Sequence, residues 1–128
     1  MIVDTSALVA VLYREPEGPG FLAAMLASPV RISAVTLFEF GMVVDGLRNE
    51  EASRTVDLIL ARIEAEVVAV DAETARVARA AYRQFGKKNH PAKLNFGDCF
   101  AYALARQTGE PLLFKGDDFS QTDIVSAA

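Results

Sequence analysis

The sequence predicts an α/β fold, with an open parallel β-sheet flanked by helices on both faces, in one domain that spans residues 1–128. Short β-branched and aliphatic segments alternate with longer segments whose apolar residues recur at helical spacing. Strands that are separated by helices form parallel sheets, and both faces of such sheets are covered. A chain of 128 residues that is 52% hydrophobic has the size and composition of a single domain with a sizeable core.

The elements are predicted in the order β-α-α-β-α-α-β-α-α-β-β. An aliphatic pair at residues 2–3 opens the chain, and Asp4, Thr5 and Ser6 after it are favourable helix caps. Pro and Gly between residues 15 and 20 separate the first two helices. Short apolar or β-branched segments predict the other strands at residues 30–32, 67–70, 112–114 and 124–125. Apolar character or helical periodicity predicts helices at residues 7–13, 21–27, 35–47, 49–65, 72–85 and 96–107, with a polar loop at 86–94.

Composition excludes several classes of protein. The net charge of −4 excludes a wholly basic nucleic-acid binder, although a local basic patch remains possible. A single cysteine, Cys99, excludes an internal disulfide framework, and a single histidine, His90, excludes a zinc site built from several His and Cys side chains. No leader-like segment opens the chain, and its apolar runs are far shorter than the ~20 residues of a membrane helix. We therefore expect a reduced, cytoplasmic protein with no membrane association.

Two acidic positions follow predicted strands. Asp4 comes directly after the first strand, and Asp117 with its neighbour Asp118 comes shortly after the strand at 112–114. In open α/β sheets, ligands gather beyond the carboxyl ends of the strands, so these side chains are candidates for chemistry. The alternatives are an N-cap for the first helix at Asp4 and an ordinary Asp-rich turn at Asp117.

Two further acidic positions lie on predicted helices. The neighbours of Glu39 at helical spacing are mostly apolar, and a carboxylate in such surroundings needs a partner or a bound ion. The alternative for Glu39 is a narrow solvent-exposed stripe. Asp98 stands three residues after Asn95 at the start of a helix, where a capping box and a functional role fit the sequence equally well.

These acidic side chains are expected at one edge of the sheet, because helix starts and strand ends can meet there. Two carboxylates ~5 Å apart repel by about 3 kcal/mol at an effective dielectric constant near 20, so a group of them calls for a cation. Sites made of oxygen ligands suit Mg²⁺ or Mn²⁺. Such ions hydrolyse phosphodiesters by activating water and stabilising the leaving oxygen.

A basic segment precedes Asp98. From Thr74 to Gly97 there is no acidic residue, and the segment holds six of the 13 basic residues of the chain, which suggests a rim that binds phosphates. These residues are Arg76, Arg79, Arg83, Lys87, Lys88 and Lys93. Tyr82, Phe85 and His90 are candidates for stacking on bases. The alternative is a solvated helix face followed by a flexible loop.

The acidic positions lie within four motifs that resemble those of the PIN-domain ribonucleases, and specifically of the VapC-type toxins. The motifs are MIVDTSAL at residues 1–8, VTLFE at 35–39, LNFGDCFAYALA at 94–105 and LLFKGDDF at 112–119. They cover essentially the whole chain in order, and the long third motif is the most specific. The fourth departs from the family pattern, because Lys115 stands where the family usually has Thr and two Asp follow the Gly.

The resemblance implies a PIN-like sheet and endonucleolytic cleavage of RNA that depends on Mg²⁺, with Mn²⁺ as a substitute. It implies a catalytic and metal-binding set, a homodimer, and a cognate VapB-type antitoxin that covers the acidic groove. The implied catalytic and metal-binding set is Asp4, Glu39, Asp98 and Asp117. Supporting roles are implied for Thr5, Ser6 and Asp118, and the proposed RNA-binding residues of the basic segment are Lys87, Lys88 and Lys93.

Two other classes of function remain open from the residues. A receiver-like phosphorylation module is also a compact α/β domain with an acidic pocket and a Lys near a late strand, but it normally needs adjacent acids after the first strand. A non-catalytic domain that binds RNA or protein would keep the scaffold without the activity. Labelling by a phosphate donor distinguishes the first class, and loss of activity in EDTA argues against the second.

Overall fold

The computed structural model describes residues 1–88 and 90–128, and it confirms the predicted α/β fold. The strands are β1 (Ile2–Val3), β2 (Arg31–Ser33), β3 (Glu66–Val68) and β4 (Leu112–Leu113). They form a parallel sheet in the order β3-β2-β1-β4. The helices are α1 (Thr5–Leu12), α2 (Gly18–Ala27), α3 (Ala34–Asp45), α4 (Glu50–Arg62), α5 (Ala72–Phe85) and α6 (Phe96–Thr108).

The core lies on both faces of the sheet. Successive side chains of a strand point to opposite faces, so the neighbours Ile2 and Val3 enter different apolar clusters. Ile2 packs with residues of α5 and α6, whereas Val3 packs with residues of α1, α2, α3 and α4. Both residues are fully buried. This division confirms that helices cover the two faces of the sheet.

The three helices that carry or adjoin the acidic residues each start with a side-chain N-cap. Asp4, directly after β1, caps α1, and Ser33, the last residue of β2, caps α3, so both helices start at the carboxyl edge of the sheet. Asn95 caps α6 in the capping box that the sequence predicts. The first turns of α1, α3 and α6 carry or adjoin the acidic residues that the sequence singles out.

Several predicted boundaries are wrong, and one predicted strand is not found. Helix α2 begins at Gly18 rather than at residue 21, because Pro19 is tolerated in the first turn of a helix, and α3 ends at Asp45 rather than at residue 47. Helix α1 begins at Thr5 rather than at residue 7, because Asp4 already caps it. Helix α4 ends at Arg62 rather than at residue 65, since Glu64 adopts a positive φ of 52° that no α-helix continues through. The segment 124–125 is not a strand in the described part of the chain: the parallel contact at that edge is a single bridge between Leu112 and Ser126. No helix within the described residues combines the length and apolar character needed to cross a membrane.

Candidate active site

Asp4 is a buried carboxylate at the carboxyl end of β1. It is only 4% exposed, and its Oδ2 accepts hydrogen bonds from the backbone N–H of Ser6 at 3.0 Å and from Ser6 Oγ at 2.6 Å. Burial raises the pKa of Asp4, the Ser6 hydrogen bonds oppose this, and the charge of Glu39 adds to the increase. The N-cap and the functional interpretation therefore apply to the same side chain, because capping uses one of its two oxygens.

Ser6 joins Asp4 to the end of β4. Its Oγ donates to Asp4 and accepts the backbone N–H of Lys115 at 3.0 Å. The ammonium of Lys115 pairs with Glu15, and with Glu17 at 3.0 Å, both in the turn between α1 and α2. A receiver-like module would need this Lys at the acidic pocket, whereas here it contacts two other carboxylates.

Glu39 lies on α3 and is held from two sides. Thr5 Oγ1, which is buried, donates to Glu39 Oε1 at 2.5 Å. A Cβ placed on Gly97 would lie 2.2 Å from Glu39 Oε2, so the absence of a side chain at Gly97 creates the space that the carboxylate fills. Glu39 is half-buried in these contacts, which does not fit the solvent-exposed stripe that was its alternative.

Asp98 occupies the first turn of α6, where the capping box and the acidic site share one residue. Its Oδ2 accepts the backbone N–H of Asn95 at 3.0 Å, and its own N–H donates to Asn95 Oδ1 at 2.9 Å. The pKa of Asp98 is raised to about 7, mainly by burial and to a smaller extent by the charges of Asp4, Asp118 and Glu39, against the opposing effect of the Asn95 amide. These four carboxylates are therefore electrostatically coupled.

Asp117 and Asp118 follow β4, and both side chains are exposed. The charge of Asp118 is among those that raise the pKa of Asp98. The backbone carbonyl of Asp117 accepts a hydrogen bond from Ser120 Oγ at 2.6 Å. The charge of Asp118 thus acts on the other acidic side chains, whereas the family resemblance makes Asp117 the first candidate for the fourth metal ligand.

The carboxylate oxygens of these acidic residues are chemically suited to bind a hard divalent cation. Carboxylate oxygens are the ligands that Mg²⁺ and Mn²⁺ prefer, and burial, with a smaller contribution from the neighbouring carboxylates, raises the pKa values of Asp4 and Asp98. Among residues 1–88 and 90–128, however, no three His, Cys, Asp or Glu side chains already stand close enough together to hold an ion.

The lysines of the basic segment are exposed, but one of its predicted stacking residues is buried. Lys87, Lys88 and Lys93 are exposed, and the neighbouring Asn89 lies outside the described residues. Phe85 is buried in the core against Tyr102, so the prediction that it stacks on bases is wrong. His90 is half-buried, with Nδ1 accepting the backbone N–H of Ala92 at 3.0 Å. Tyr82 remains 39% exposed.

The chain is similar to known proteins over nearly its whole length. A PIN-domain family profile matches residues 1–125. Ribonuclease VapC30 of Mycobacterium tuberculosis is 48% identical over 129 residues, covering 100% of this chain and 98% of the relative. Ribonuclease VapC of Mycolicibacterium smegmatis is 46% identical over 127 residues, covering 98% of each chain.

Solved structures match at lower identity and support the fold. A crystal structure of Mycobacterium tuberculosis VapC20, described as a sarcin-ricin loop cleaving toxin, has a TM-score of 0.78 at 19% identity and covers 98% of this chain and 97% of that one. VapBC2 from Rickettsia felis, bound to a DNA fragment from the promoter, has a TM-score of 0.76 at 16% identity, covering 98% and 94%. A toxin–antitoxin complex from Klebsiella pneumoniae has a TM-score of 0.71 at 19% identity, covering 98% and 95%.

Proposed function

The chain belongs to the PIN-domain family and within it to the VapC ribonucleases, and from this premise we propose that it is the endoribonuclease toxin of a toxin–antitoxin pair. In this proposal one domain, residues 1–128, hydrolyses RNA phosphodiester bonds and requires Mg²⁺, for which Mn²⁺ substitutes. The observation that carries the proposal is the close approach of the segments that bear Asp4, Glu39 and Asp98. Thr5, next to Asp4, donates to Glu39 Oε1, and Gly97, next to Asp98, leaves the space that the Glu39 carboxylate fills.

Each of these carboxylates is oriented by a hydrogen bond to one oxygen. Oδ2 of Asp4 is engaged by Ser6, Oε1 of Glu39 by Thr5, and Oδ2 of Asp98 by the Asn95 amide. The second oxygen of each carboxylate is the donor that we assign to the ion. Asp118, with Asp117 beside it, is the candidate for the fourth carboxylate. Pre-orientation of ligands by neighbouring hydrogen bonds is typical of metal sites that function in catalysis.

A bound divalent ion would supply an activated water and charge stabilisation at the scissile phosphate. The chain's own contribution is to hold the oxygen donors on three helices, at the starts of α1 and α6 and in the second turn of α3, and to bind the RNA backbone. The exposed ammonium groups of Lys87, Lys88 and Lys93 are the proposed contacts to phosphates, which position the strand without specifying its sequence. No protein nucleophile is required. Burial and the charge of Asp98 raise the pKa of the Cys99 thiol to about 11, which makes it a poor one.

The partners follow from the same proposal. The chain would act on RNA in the cytoplasm, form a homodimer, and be neutralised by a cognate VapB-type antitoxin that covers the acidic site. Solved toxin–antitoxin assemblies with this fold, from Rickettsia felis and Klebsiella pneumoniae, support the antitoxin as a partner.

Cleavage of RNA by purified variants tests the proposal. The isosteric changes Asp4→Asn, Glu39→Gln and Asp98→Asn remove one charged ligand each and should each abolish Mg²⁺-dependent cleavage, while circular dichroism shows an unchanged fold. Asp57→Asn, on the exposed face of α4, is the matched control and should cleave as the wild type does. EDTA should stop the wild-type reaction, and Mn²⁺ should restore it. Full cleavage by a folded Asp98→Asn variant, or activity that survives EDTA, contradicts the assignment.

A further inference from the structure

A groove of about 510 Å³ lies between α5 and α6, beside the acidic site. Its size falls within the ~300–1,000 Å³ of ordinary ligand pockets. On α5, Ala75, Ala78 and Tyr82 are spaced three and four residues apart and so share one face, and the two alanines leave the space open. On α6, Phe96 and Phe100 have the same spacing and form the opposite wall.

Two aromatic side chains of this groove are held in place and yet exposed. Phe96 is 74% exposed, although its ring packs on Phe100 at a centroid distance of 5.2 Å. Tyr82 is 39% exposed, and its ring lies so close to Gly86 that a Cβ there would approach Tyr82 Cδ1 to 2.8 Å. Rigid aromatic faces that stay in contact with water are suited to stacking on a flat, apolar ligand.

The charge of the groove is positive. Arg79 and Lys87 are the charged residues among those that line it. Asn95, which also lines the groove, caps the same helix turn that carries Asp98, and Phe96 lies two residues before Asp98. A ligand in the groove is therefore adjacent to the acidic site and faces cations rather than carboxylates.

The geometry points to a nucleobase subsite: an unpaired base of the RNA, next to the phosphate that is cleaved, stacks on Phe96 and Tyr82. Arg79 and Lys87 contact the phosphates on either side of that base. This inference rests on the proposed function and adds that the substrate is single-stranded where it enters the groove. Stacking on aromatic side chains accepts every base, so the subsite selects unpaired RNA rather than one sequence.

A second copy of this chain is the competing occupant, and the charges disfavour it. In a two-fold contact a surface patch meets its own copy, so Arg79 and Lys87 would be brought towards the same two cations. Like charges that are brought together at an interface oppose association. RNA supplies the opposite charge together with the flat apolar face.

Binding of two polyanions tests the inference. The probes are a fluorescein-labelled, unstructured RNA 12-mer and inorganic polyphosphate, with Ca²⁺ in place of Mg²⁺ to prevent cleavage. Phe96→Ala and Tyr82→Ala should each weaken RNA binding about 5- to 100-fold and leave polyphosphate binding unchanged, because polyphosphate has no bases. Lys87→Ala should weaken binding of both probes. Phe96→Tyr and Tyr82→Phe should retain wild-type affinity. Phe38→Ala, which removes a 69% exposed ring on α3 outside the groove, is the matched control.

The outcomes separate the possible explanations. Unchanged RNA affinity in both alanine variants, or equal losses for RNA and polyphosphate, overturns the subsite. A changed oligomeric mass in sedimentation equilibrium at unchanged RNA affinity assigns the groove to an interface between copies and also overturns it. If the wild type cleaves RNA and Asp4→Asn does not, while Phe96→Ala binds and cleaves normally, the subsite fails and the proposed function stands. A wild type that neither binds nor cleaves RNA overturns both.

Discussion

Replacing Asp98 by Asn should stabilise the metal-free protein at neutral and higher pH. The amide keeps the shape of the side chain and can still accept the Asn95 N–H, but it carries no charge to be buried beside Asp4, Glu39 and Asp118. An increase in pKa from 3.8 to about 7 corresponds to about 4 kcal/mol of destabilisation once Asp98 is ionised. Solvent screening and the lost attraction of an anion to the helix N-terminus, about 0.3–1 kcal/mol, reduce the expected gain to about 1–3 kcal/mol.

The pH dependence has a defined sign. Between about pH 4 and pH 7 the folded wild type keeps a proton on Asp98 that the unfolded chain has released. The free energy of unfolding of the wild type therefore falls as the pH rises through this range, and that of the Asp98→Asn variant lacks this contribution. The difference between the two proteins should be near zero below about pH 4 and reach its full size above about pH 7.

Thermal unfolding in EDTA, followed by circular dichroism at one-unit steps of pH, measures the difference. For a chain of this length, 1–3 kcal/mol corresponds to an increase in Tm of roughly 3–15 °C at pH 8. Mg²⁺ at 100 times the Kd of the wild type should then stabilise the wild type by about 2.7 kcal/mol and the variant by less. Asp57→Asn is the control for the loss of an exposed charge. A variant with the same Tm as the wild type at pH 8 would falsify the claim that Asp98 is destabilised by its surroundings.

Three further changes have definite expected results. Gly97→Ala puts a methyl group where the Glu39 carboxylate lies, so RNA cleavage should fall about 10- to 100-fold. The Tm should stay within a few degrees, because the displaced group is the end of a flexible side chain. Cleavage at the wild-type rate would contradict the role of this space. Asp118→Asn should lower the rate of cleavage more than Asp117→Asn does, since the charge of Asp118 acts on Asp98. The reverse order of rates would identify Asp117 as the fourth carboxylate of the site. Replacing the three exposed lysines of the basic segment should reduce the slope of log affinity against log salt by about 2, as measured by RNA titrations at several salt concentrations. These residues are Lys87, Lys88 and Lys93. An unchanged slope would show that these lysines do not contact the RNA phosphates.

Much of the fold is predictable because its signals are local. Helix α5 spans residues 72–85 in the prediction and in the structure, since Asp71 caps its start and amphipathic spacing continues to its end. The four strands of the sheet fall within one or two residues of their predicted positions, whereas the strand predicted at 124–125 is not found in the described part of the chain. Errors occur where a single backbone conformation ends an element, as at Glu64 after α4.

The acidic site is predictable only in part. Asp4, Glu39 and Asp98 stand out in the sequence because each is an acid at a strand end, in an apolar helix or at a helix start. The sequence does not show that Thr5 holds Glu39, across 34 residues, or that Gly97 provides the space for its carboxylate. A glycine in the first turn of a helix, where it lowers helix propensity, is the one local signal for that contact.

The sequence alone determined which segments are helices and strands, that the sheet is parallel, and which acids lie at its carboxyl edge. Hydrophobic periodicity, helix caps and turn residues act over a few residues, so they can be recognised in the amino-acid sequence. The tertiary structure decided which side chains meet: it coupled Asp118 to Asp98, buried Phe85 in the core and left Phe96 exposed beside the groove. Those outcomes depend on how α5, α6 and β4 pack against one another, because contacts between residues far apart in the chain are set by packing rather than by local preference.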